Sequence, residues 1–274
     1  MLAWLAPPLY AQTPLPIHVL AEAGPFLDSF NQSLDASTAP RLKRVAESDQ
    51  AELVIAIGDD AFLRAQKLNK PLLGVYVSRA LAARIKRKRC VCAAIWAGVA
   101  LNDQLTMLEA MMPLARRVGV IVGPHSAWTD GMVQDYRGRV ALTLLPVSTV
   151  EELGEVLRER LGSFDALVLP ADGDLFGASA AKLVLLTSYR LRRPVFGPDR
   201  AYVRAGSVAS LYASGADLVA ETLVHLQSYQ TSKRFRRSGF VHTPSVLVNE
   251  HVASSFDMFY HDTPSLREAL EVSP

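Results

Sequence analysis

Cysteine is scarce in this chain, which contains only Cys90 and Cys92 in 274 residues. A single C-x-C pair is a weak metal signal, because a structural zinc site uses four ligands. A disulfide between residues two apart closes a very tight loop. We therefore expect two small buried thiols in a core strand, although the sequence leaves their oxidation state open.

An excess of charge of one sign is also lacking, since 29 basic and 27 acidic residues leave a formal net charge of +2. A chain so close to balance has no global field that favours nucleic acid or a membrane. Two basic runs, at residues 86–89 and 233–237, are expected to be solvated faces. We expect no nucleic-acid partner.

Long apolar runs are missing after the first residues, because no later segment reaches the roughly 18 apolar residues of a membrane helix. Residues 1–9 are mostly apolar, and Ala11 offers a small residue before Gln12. This pattern is typical of the end of a secretory signal cleaved after Ala11, although the basic n-region is absent. We expect a signal-peptide remnant or an apolar N-terminus over residues 1–15, and a periplasmic location.

Strong catalytic and cofactor motifs are absent. The chain contains no G-x-G-x-x-G after a strand, no phosphate-binding G-x-x-x-x-G-K-S/T, no G-x-S-x-G elbow and no H-E-x-x-H. Its six histidines are scattered along the sequence. We therefore expect a protein that is not an enzyme, with no catalytic residue, no metal site and no cofactor.

Apolar runs of strand length alternate with segments of helical pattern along most of the chain. The strands are expected at residues 17–20, 52–58, 71–77, 89–96, 117–122, 140–146, 166–169, 194–197, 208–212 and 246–249. The helices are expected at residues 25–34, 61–68, 79–85, 102–112, 129–136, 150–161, 178–189 and 218–228. Such alternation predicts an α/β fold with parallel sheets. Two successive sets, before and after about residue 113, predict two doubly wound, Rossmann-like lobes.

Short polar loops follow several predicted strands, at residues 58–60, 123–126, 170–174 and 197–199. In open α/β sheets, ligands bind at the carboxyl ends of the strands. Helices also begin there and offer backbone N–H donors. Two lobes that present such edges to each other form a cleft.

Three segments, at residues 116–126, 165–172 and 194–199, resemble matching segments of a substrate-binding protein family of ABC transporters, of the periplasmic binding protein type I class. This family includes binders of aromatic amino acids. Residues 52–61, the helix around residues 104–108 and the segment from residue 206 are similar to further parts of its pattern. The resemblance extends over residues 17–250, roughly. Where the family has small or amide-rich loops, this chain has more acidic ones.

The resemblance implies two lobes joined by three crossovers and a hinge, with a small organic ligand clamped between them. Their expected bounds are 16–115 with about 206–232, and 116–205 with about 233–255, followed by a C-terminal tail over 256–274. It also implies delivery to an ABC permease by a monomer. An alternative is a periplasmic accessory or sensor protein that recognises a protein partner with a degenerate cleft.

Candidate ligand-binding residues lie in or near the polar loops and predicted strand ends. They are Asp59, Asp60, Trp96, His125, Ser126, Trp128, Asp172, Phe176, Asp199 and Tyr212. An aromatic side chain at such a place can stack on a planar ligand or belong to the core. Each aspartate can contact a ligand or cap a helix, and Asp174 is expected to be the cap of the helix that begins near Leu175.

Overall fold

The computed structural model describes residues 13–38, 40–84, 90–173 and 175–272 of the chain. Residues 1–12 of the expected N-terminal segment 1–15, with its cleavage point, lie outside these ranges, as do the basic run at residues 86–89 and the expected cap Asp174. Leu15, at the end of that segment, is the first residue of a strand. Within the described residues, no helix is both long enough and apolar enough to cross a membrane.

Two sheets organise the chain, and helices lie between and beside their strands. The first sheet contains β1 (Leu15–Leu20), β2 (Leu42–Arg44), β3 (Leu53–Ile57), β4 (Leu72–Val77) and β5 (Cys92–Trp96). The second contains β6 (Arg117–Val122), β7 (Ala141–Pro146), β8 (Ala166–Val168), β9 (Val195–Phe196), β10 (Ala209–Tyr212) and β11 (Ser245–Val248). The helices are α1 (Pro25–Asp35), α2 (Asp59–Ala65), α3 (Arg79–Ala83), α4 (Leu101–Met111), α5 (Asp130–Gln134), α6 (Val150–Arg160), α7 (Ala178–Arg190), α8 (Arg200–Ala205), α9 (Gly215–Ser232), α10 (Glu250–Ser255) and α11 (Thr263–Val272).

The strand order is β2-β1-β3-β4-β5 in the first sheet and β11-β10-β9-β8-β6-β7 in the second. All paired strands are parallel except β10 and β11, which are antiparallel. Parallel strands covered by helices on both faces are buried throughout, which explains the continuous apolar runs of the sequence. The expected α/β fold of two doubly wound lobes is confirmed.

Each sheet has a hydrophobic cluster on both of its faces. Helices α1 and α9 pack together and, with strands β1, β3, β4 and β5, bury one side of the first sheet. Helix α2 covers the other side through the fully buried Phe62. Helices α4, α5, α10 and α11 contribute to one core of the second sheet, and α6, α7 and α8 contribute to the other. We call these two bodies the first and second lobes.

Among the described residues, three segments connect the lobes. Residues 97–100 lead from β5 to α4, residues 213–214 lead from β10 to α9, and residues 233–244 return from α9 to β11. The third segment also lies beside β5, where the backbone nitrogen of Trp96 donates to the oxygen of Gly239 over 2.7 Å. The expected segment 206–232 is therefore divided, because β10 belongs to the second sheet whereas α9 packs on the first.

The C-terminal part is more ordered than the expected loose tail over residues 256–274. Helix α11 contacts both α4 and β11, and its Leu266 is completely buried. The side-chain oxygen of Thr263 also accepts a hydrogen bond from the backbone nitrogen of Val248, at 3.0 Å. Burial of one apolar side of α11 against the second lobe explains why this segment folds.

The two cysteines differ from the expected pair of buried thiols. Cys90 and Cys92 form a disulfide, with their Cα atoms 5.4 Å apart, and neither is free. Both residues are half-buried. Strand pairing begins only at Cys92, so Cys90 is not held in the sheet and its side chain meets that of Cys92.

Candidate functional site

The carboxyl ends of strands from both lobes lie on the two sides of a cleft. Arg79, the first residue of α3 in the first lobe, donates from Nε to the backbone oxygen of Ala127 in the second lobe, at 3.0 Å. Gly98, in the first connecting segment, lies so close to the second lobe that an added Cβ atom would be 2.9 Å from the Cβ of Ala171. Gly98 also has a φ of +88°, which favours glycine. The lobes are therefore in direct contact beside the hinge.

Tyr76 projects from the end of β4 in an unusual backbone conformation. Its φ is +55°, and the pairing of β4 with β5 is irregular between Val75 and Val77. A left-handed conformation is strained for a bulky residue and is often kept at functional sites. The pKa of the Tyr76 hydroxyl is raised, first by loss of hydration and second by the negative charge of Asp199 in the opposite lobe. The charge of Asp199 therefore acts on the Tyr76 hydroxyl from the opposite lobe.

The acidic loop of the first lobe contains Asp59 and Asp60 at the start of α2. Asp59 is half-buried, and its Oδ1 accepts a hydrogen bond from the backbone nitrogen of Ser78 at 2.7 Å. This bond ties the end of β3 to the end of β4. Asp60 is exposed. Asp59 thus orders the loop next to Tyr76, whereas Asp60 lies at its surface.

Asp172 occupies the corresponding loop of the second lobe and is 94% buried, with 6% of its surface exposed. Its Oδ1 accepts from the backbone nitrogen of Leu175 at 3.1 Å. Gly123 makes room for this carboxylate, because an added Cβ atom would be 2.5 Å from Asp172 Oδ2. Asp172 therefore closes the turn that leads from β8 towards α7.

The far wall of the cleft is formed by the ends of β9 and β10. Asp199 is exposed and caps α8, where its Oδ1 accepts from the backbone nitrogen of Tyr202 at 3.0 Å. Arg200 lies over the ring of Tyr212, with its Cζ 5.6 Å from the ring centre. Such a cation–π contact holds an arginine in place beside the cleft.

Two of the aromatic candidates are packed inside the second lobe. Trp128 is 3% exposed, and Phe176 is 7% exposed and meets Tyr202 edge-on at 6.3 Å. Trp128 donates from Nε1 to the backbone oxygen of Val99 at 2.8 Å. This contact links the second lobe to the first connecting segment, so Trp128 positions the hinge.

Trp96 lies at the end of β5, in a groove between the lobes. Its ring meets Phe240 edge-on at 5.1 Å. The groove has a volume of about 360 Å³ and is also lined by Met132 and Tyr136 of the second lobe. In the described structure, Trp96 Nε1 has no hydrogen-bond partner. Trp96 therefore has an unused donor beside the hinge.

His125 and Ser126 follow β6. His125 is exposed, whereas Ser126 is 5% exposed and donates its backbone N–H to the oxygen of Gly123 at 3.2 Å. The described residues contain no group of three or more His, Cys, Asp or Glu that could hold a metal ion. Ligand contact by the ten candidate residues remains a prediction.

Sequence reasoning missed two residues at the centre of the cleft, Tyr76 and Arg79. Tyr76 was part of an apolar strand of the sequence, and nothing in the pattern indicates its positive φ. Arg79 was the first residue of a predicted helix, a position that is usually solvated. Only the pairing of the two lobes brings these side chains to Asp199 and Ala127.

A buried glutamine braces the floor of the cleft and was also missed. Gln104 of α4 has no exposed surface. Its Nε2 donates to the backbone oxygen of Gly197 at 2.9 Å, and its Oε1 accepts from the backbone nitrogen of Leu211 at 3.0 Å. Both amide functions are thus used to hold the ends of β9 and β10 at a fixed spacing.

The two tryptophans give a matched pair of substitutions. We expect Trp128→Phe to lower the free energy of unfolding by about 1 kcal/mol more than Trp96→Phe, because only Trp128 loses a buried hydrogen bond. Urea unfolding of both variants measures the difference. Equal losses, or a larger loss for Trp96→Phe, would contradict the role of Trp128 at the hinge.

A buried histidine makes stability depend on pH. His225 of α9 is 2% exposed, and burial lowers its pKa from 6.5 to about 4, with help from the positive charges of Arg236 and His242 and against the charge of Glu221. The unfolded chain binds this proton below pH 6.5, whereas the folded chain does not until about pH 4. We therefore expect stability to fall as pH drops through this window. His225→Gln should reduce the dependence of the urea unfolding midpoint on pH. The control His251→Gln, at an exposed position, should leave that dependence unchanged.

Comparison with solved structures identifies the fold. The chain is similar to an ABC domain in complex with L-Trp from Streptococcus pneumoniae, with 15% identity and a TM-score of 0.61 over 93% of this chain and 98% of that chain. It is similar to CD0873, a ligand-free, open substrate binding protein with adhesive properties from Clostridium difficile, with 17% identity and a TM-score of 0.66 over 90% and 95%. This chain has the fold of the type I periplasmic binding proteins.

A third solved structure is a periplasmic ribose ABC transporter protein from Conexibacter woesei, with 11% identity and a TM-score of 0.52 over 90% of this chain and 96% of that chain. No protein-family model and no curated protein matches the sequence. At such low identities the likeness establishes the periplasmic-binding-protein fold, whose named members above are binding and transport proteins.

Proposed function

We propose that this protein is a periplasmic solute-binding protein of an ABC-type uptake system and closes its two lobes around a small organic ligand. The observation that carries the proposal is the meeting of side chains from opposite lobes at the strand ends. Arg79 donates to the backbone oxygen of Ala127 across the cleft, and the charge of Asp199 acts on the Tyr76 hydroxyl. Ligands of open α/β sheets bind at these ends.

The cleft is suited to a ligand with polar groups and a flat or apolar part. Tyr76 is 42% exposed and offers a ring and a hydroxyl. Asp199 supplies an exposed carboxylate. Arg79 supplies a guanidinium, to which a ligand oxygen can hydrogen-bond in place of the backbone oxygen of Ala127. We propose that these three residues contact the ligand, together with candidates around the rim such as Asp60 and His125.

Closure follows from the connections between the lobes. Three segments join them, and short connecting segments are where hinge motion is absorbed in such folds. A ligand that contacts both walls stabilises the closed arrangement by its differential affinity for it. We further propose that a permease receives the ligand, that the protein acts as a monomer, and that its role is binding and not catalysis.

A thermal-shift screen of amino acids, nucleosides and sugars tests the proposal, with L-tryptophan and D-ribose included. A compound present at about 100 times its Kd stabilises the folded state by about 2.7 kcal/mol and raises Tm by several degrees. We expect at least one such compound. Tyr76→Ala should abolish the shift, whereas Tyr189→Ala, a 68% exposed residue away from the cleft, should keep it.

Two outcomes would contradict the proposal. One is a screen in which no compound changes Tm of the wild-type protein. The other is a shift that survives in Tyr76→Ala at full size. If no compound changes Tm but the protein retains a partner protein in a pull-down, the result would instead support the alternative, an accessory or sensor protein.

A further inference from the structure

The end of the second lobe opposite the cleft carries an unusual set of exposed side chains. It contains the amino ends of β6 to β9 and the carboxyl ends of α4 and α7, because helices run antiparallel to the strands that they cover. The three most exposed large apolar or aromatic residues among those described all lie here: Leu114 at 84%, Tyr189 at 68% and Phe259 at 67%. We call this surface the distal end.

These apolar residues are not scattered singly. Leu114 and Phe259 line one open groove of about 550 Å³, together with Arg192 and Arg193. Tyr189 precedes Arg192 on the same turn, where the backbone nitrogen of Arg192 donates to its oxygen at 3.1 Å. Exposed apolar groups gathered on one surface indicate an interaction site, whereas isolated ones need no explanation.

Arginine surrounds the apolar groups. Arg116 and Arg117 begin β6, and Arg190 and Arg192 end and follow α7; all four are exposed. A basic residue at the carboxyl end of a helix is favoured by the helix dipole, which accounts for Arg190 alone. Asp165 and Asp257, which both line the groove, offset part of this charge, and Arg117 approaches Asp165 at 3.9 Å. The local charge of the distal end is still positive, although the whole chain is nearly balanced.

The type of basic residue is also biased. Between residues 113 and 212, Lys182 is the single lysine, and arginine provides every other basic side chain. The planar guanidinium of arginine binds a phosphate through two parallel hydrogen bonds, which an ammonium group cannot do. The distal end thus combines phosphate-binding groups with protruding apolar side chains.

We propose that the distal end docks on a membrane surface that contains anionic phospholipids. Apolar side chains that project into solvent can enter the acyl boundary, and the arginines around them can pair with lipid phosphates. An acidic protein partner would satisfy the charges but would leave Leu114 and Phe259 to be matched by a pocket of its own. Since the cleft lies at the opposite edge of the sheet, docking leaves it accessible. The proposal does not depend on the identity or existence of a ligand.

Co-sedimentation of the full chain with vesicles tests this proposal. The vesicles contain either phosphatidylcholine alone or phosphatidylcholine mixed with phosphatidylglycerol. We expect binding to the mixed vesicles that weakens as sodium chloride is raised. The double substitution Arg190→Gln and Arg192→Gln should lower the partition coefficient about 30-fold. The double substitution Leu114→Ser and Phe259→Ser should lower the partition coefficient at least about tenfold.

A matched control lies in the first lobe, where α2 also carries an exposed leucine followed by an exposed arginine. Leu63→Ser with Arg64→Gln should leave vesicle binding unchanged. Circular dichroism and Tm should be the same for all variants, because every substituted side chain is exposed. Binding to neither vesicle, equal binding to both, or an equal loss in the control would overturn the proposal. Binding to poly-L-glutamate without binding to vesicles would also overturn it, in favour of an acidic protein partner.

Discussion

Replacing Gly123 with alanine is expected to lower the free energy of unfolding by about 2 to 3 kcal/mol, because the new methyl group has no space. It would lie 2.5 Å from Asp172 Oδ2 and 3.0 Å from Leu175 Cδ2. Asp172 is buried and held by the backbone nitrogen of Leu175, so its carboxylate cannot move aside without losing that hydrogen bond. Urea unfolding gives the change in stability.

Gly173 offers the matched control for this substitution. It follows Asp172 in the same loop, and an added Cβ atom there would meet nothing within 4 Å. We expect Gly173→Ala to change stability by less than about 1 kcal/mol. Equal losses for Gly123→Ala and Gly173→Ala would show that the loop is insensitive to the packing around Asp172.

Replacing Arg79 with methionine is expected to shift the protein toward an open arrangement. The guanidinium of Arg79 donates across the cleft to Ala127, and a hydrogen bond from a charged group contributes about 2 kcal/mol. Its loss should lower the ratio of closed to open molecules about 30-fold. The affinity for any ligand that binds the closed form should fall in proportion to the remaining closed fraction.

Arg84→Met provides the control, because Arg84 is exposed at the end of the same short helix. Distances between spin labels at Gln66→Cys and Gln134→Cys report the arrangement, since both residues are exposed and lie in different lobes. The Cys90–Cys92 disulfide leaves no native thiol to compete for the label. A distance distribution unchanged by Arg79→Met would contradict a role for this contact in closure.

Much of the fold could be predicted from hydrophobic runs. The run at residues 52–58 contains β3, in which Leu53 to Ala56 are all fully buried, as two-sided coverage requires. The helix expected at residues 150–161 also matches α6, where Thr149 caps the first turn by accepting from the backbone nitrogen of Glu152. A local pattern predicts an element correctly where residues nearby in the sequence determine its burial or its cap.

Short and polar elements could not be predicted in this way. Strand β2 has only three residues, two of them basic and exposed, and it forms because β1 offers a free edge. Helix α8 has six residues, too few for a helical period to show, and it depends on the cap provided by Asp199. Helices α10 and α11 pack on the second lobe, through Ala253 and Leu266 respectively.

The candidate site shows the same division. Chain order alone placed Asp59, Asp172 and Asp199 in loops at strand ends. The direction of each side chain depends on neighbours distant in sequence, so Trp128 and Phe176 are packed in the core of the second lobe. Tyr76 and Arg79 acquire their position from the opposite lobe, which no local pattern records.

Closure of the lobes around a ligand is tested most directly by the label distance between positions 66 and 134 during titration with a compound that raises Tm. We expect the compound to shift the distribution toward a single short distance, and we expect the same compound to leave the Tyr76→Ala protein unchanged. If calorimetry shows that a compound binds but the label-distance distribution does not change, closure by hinge motion would be contradicted.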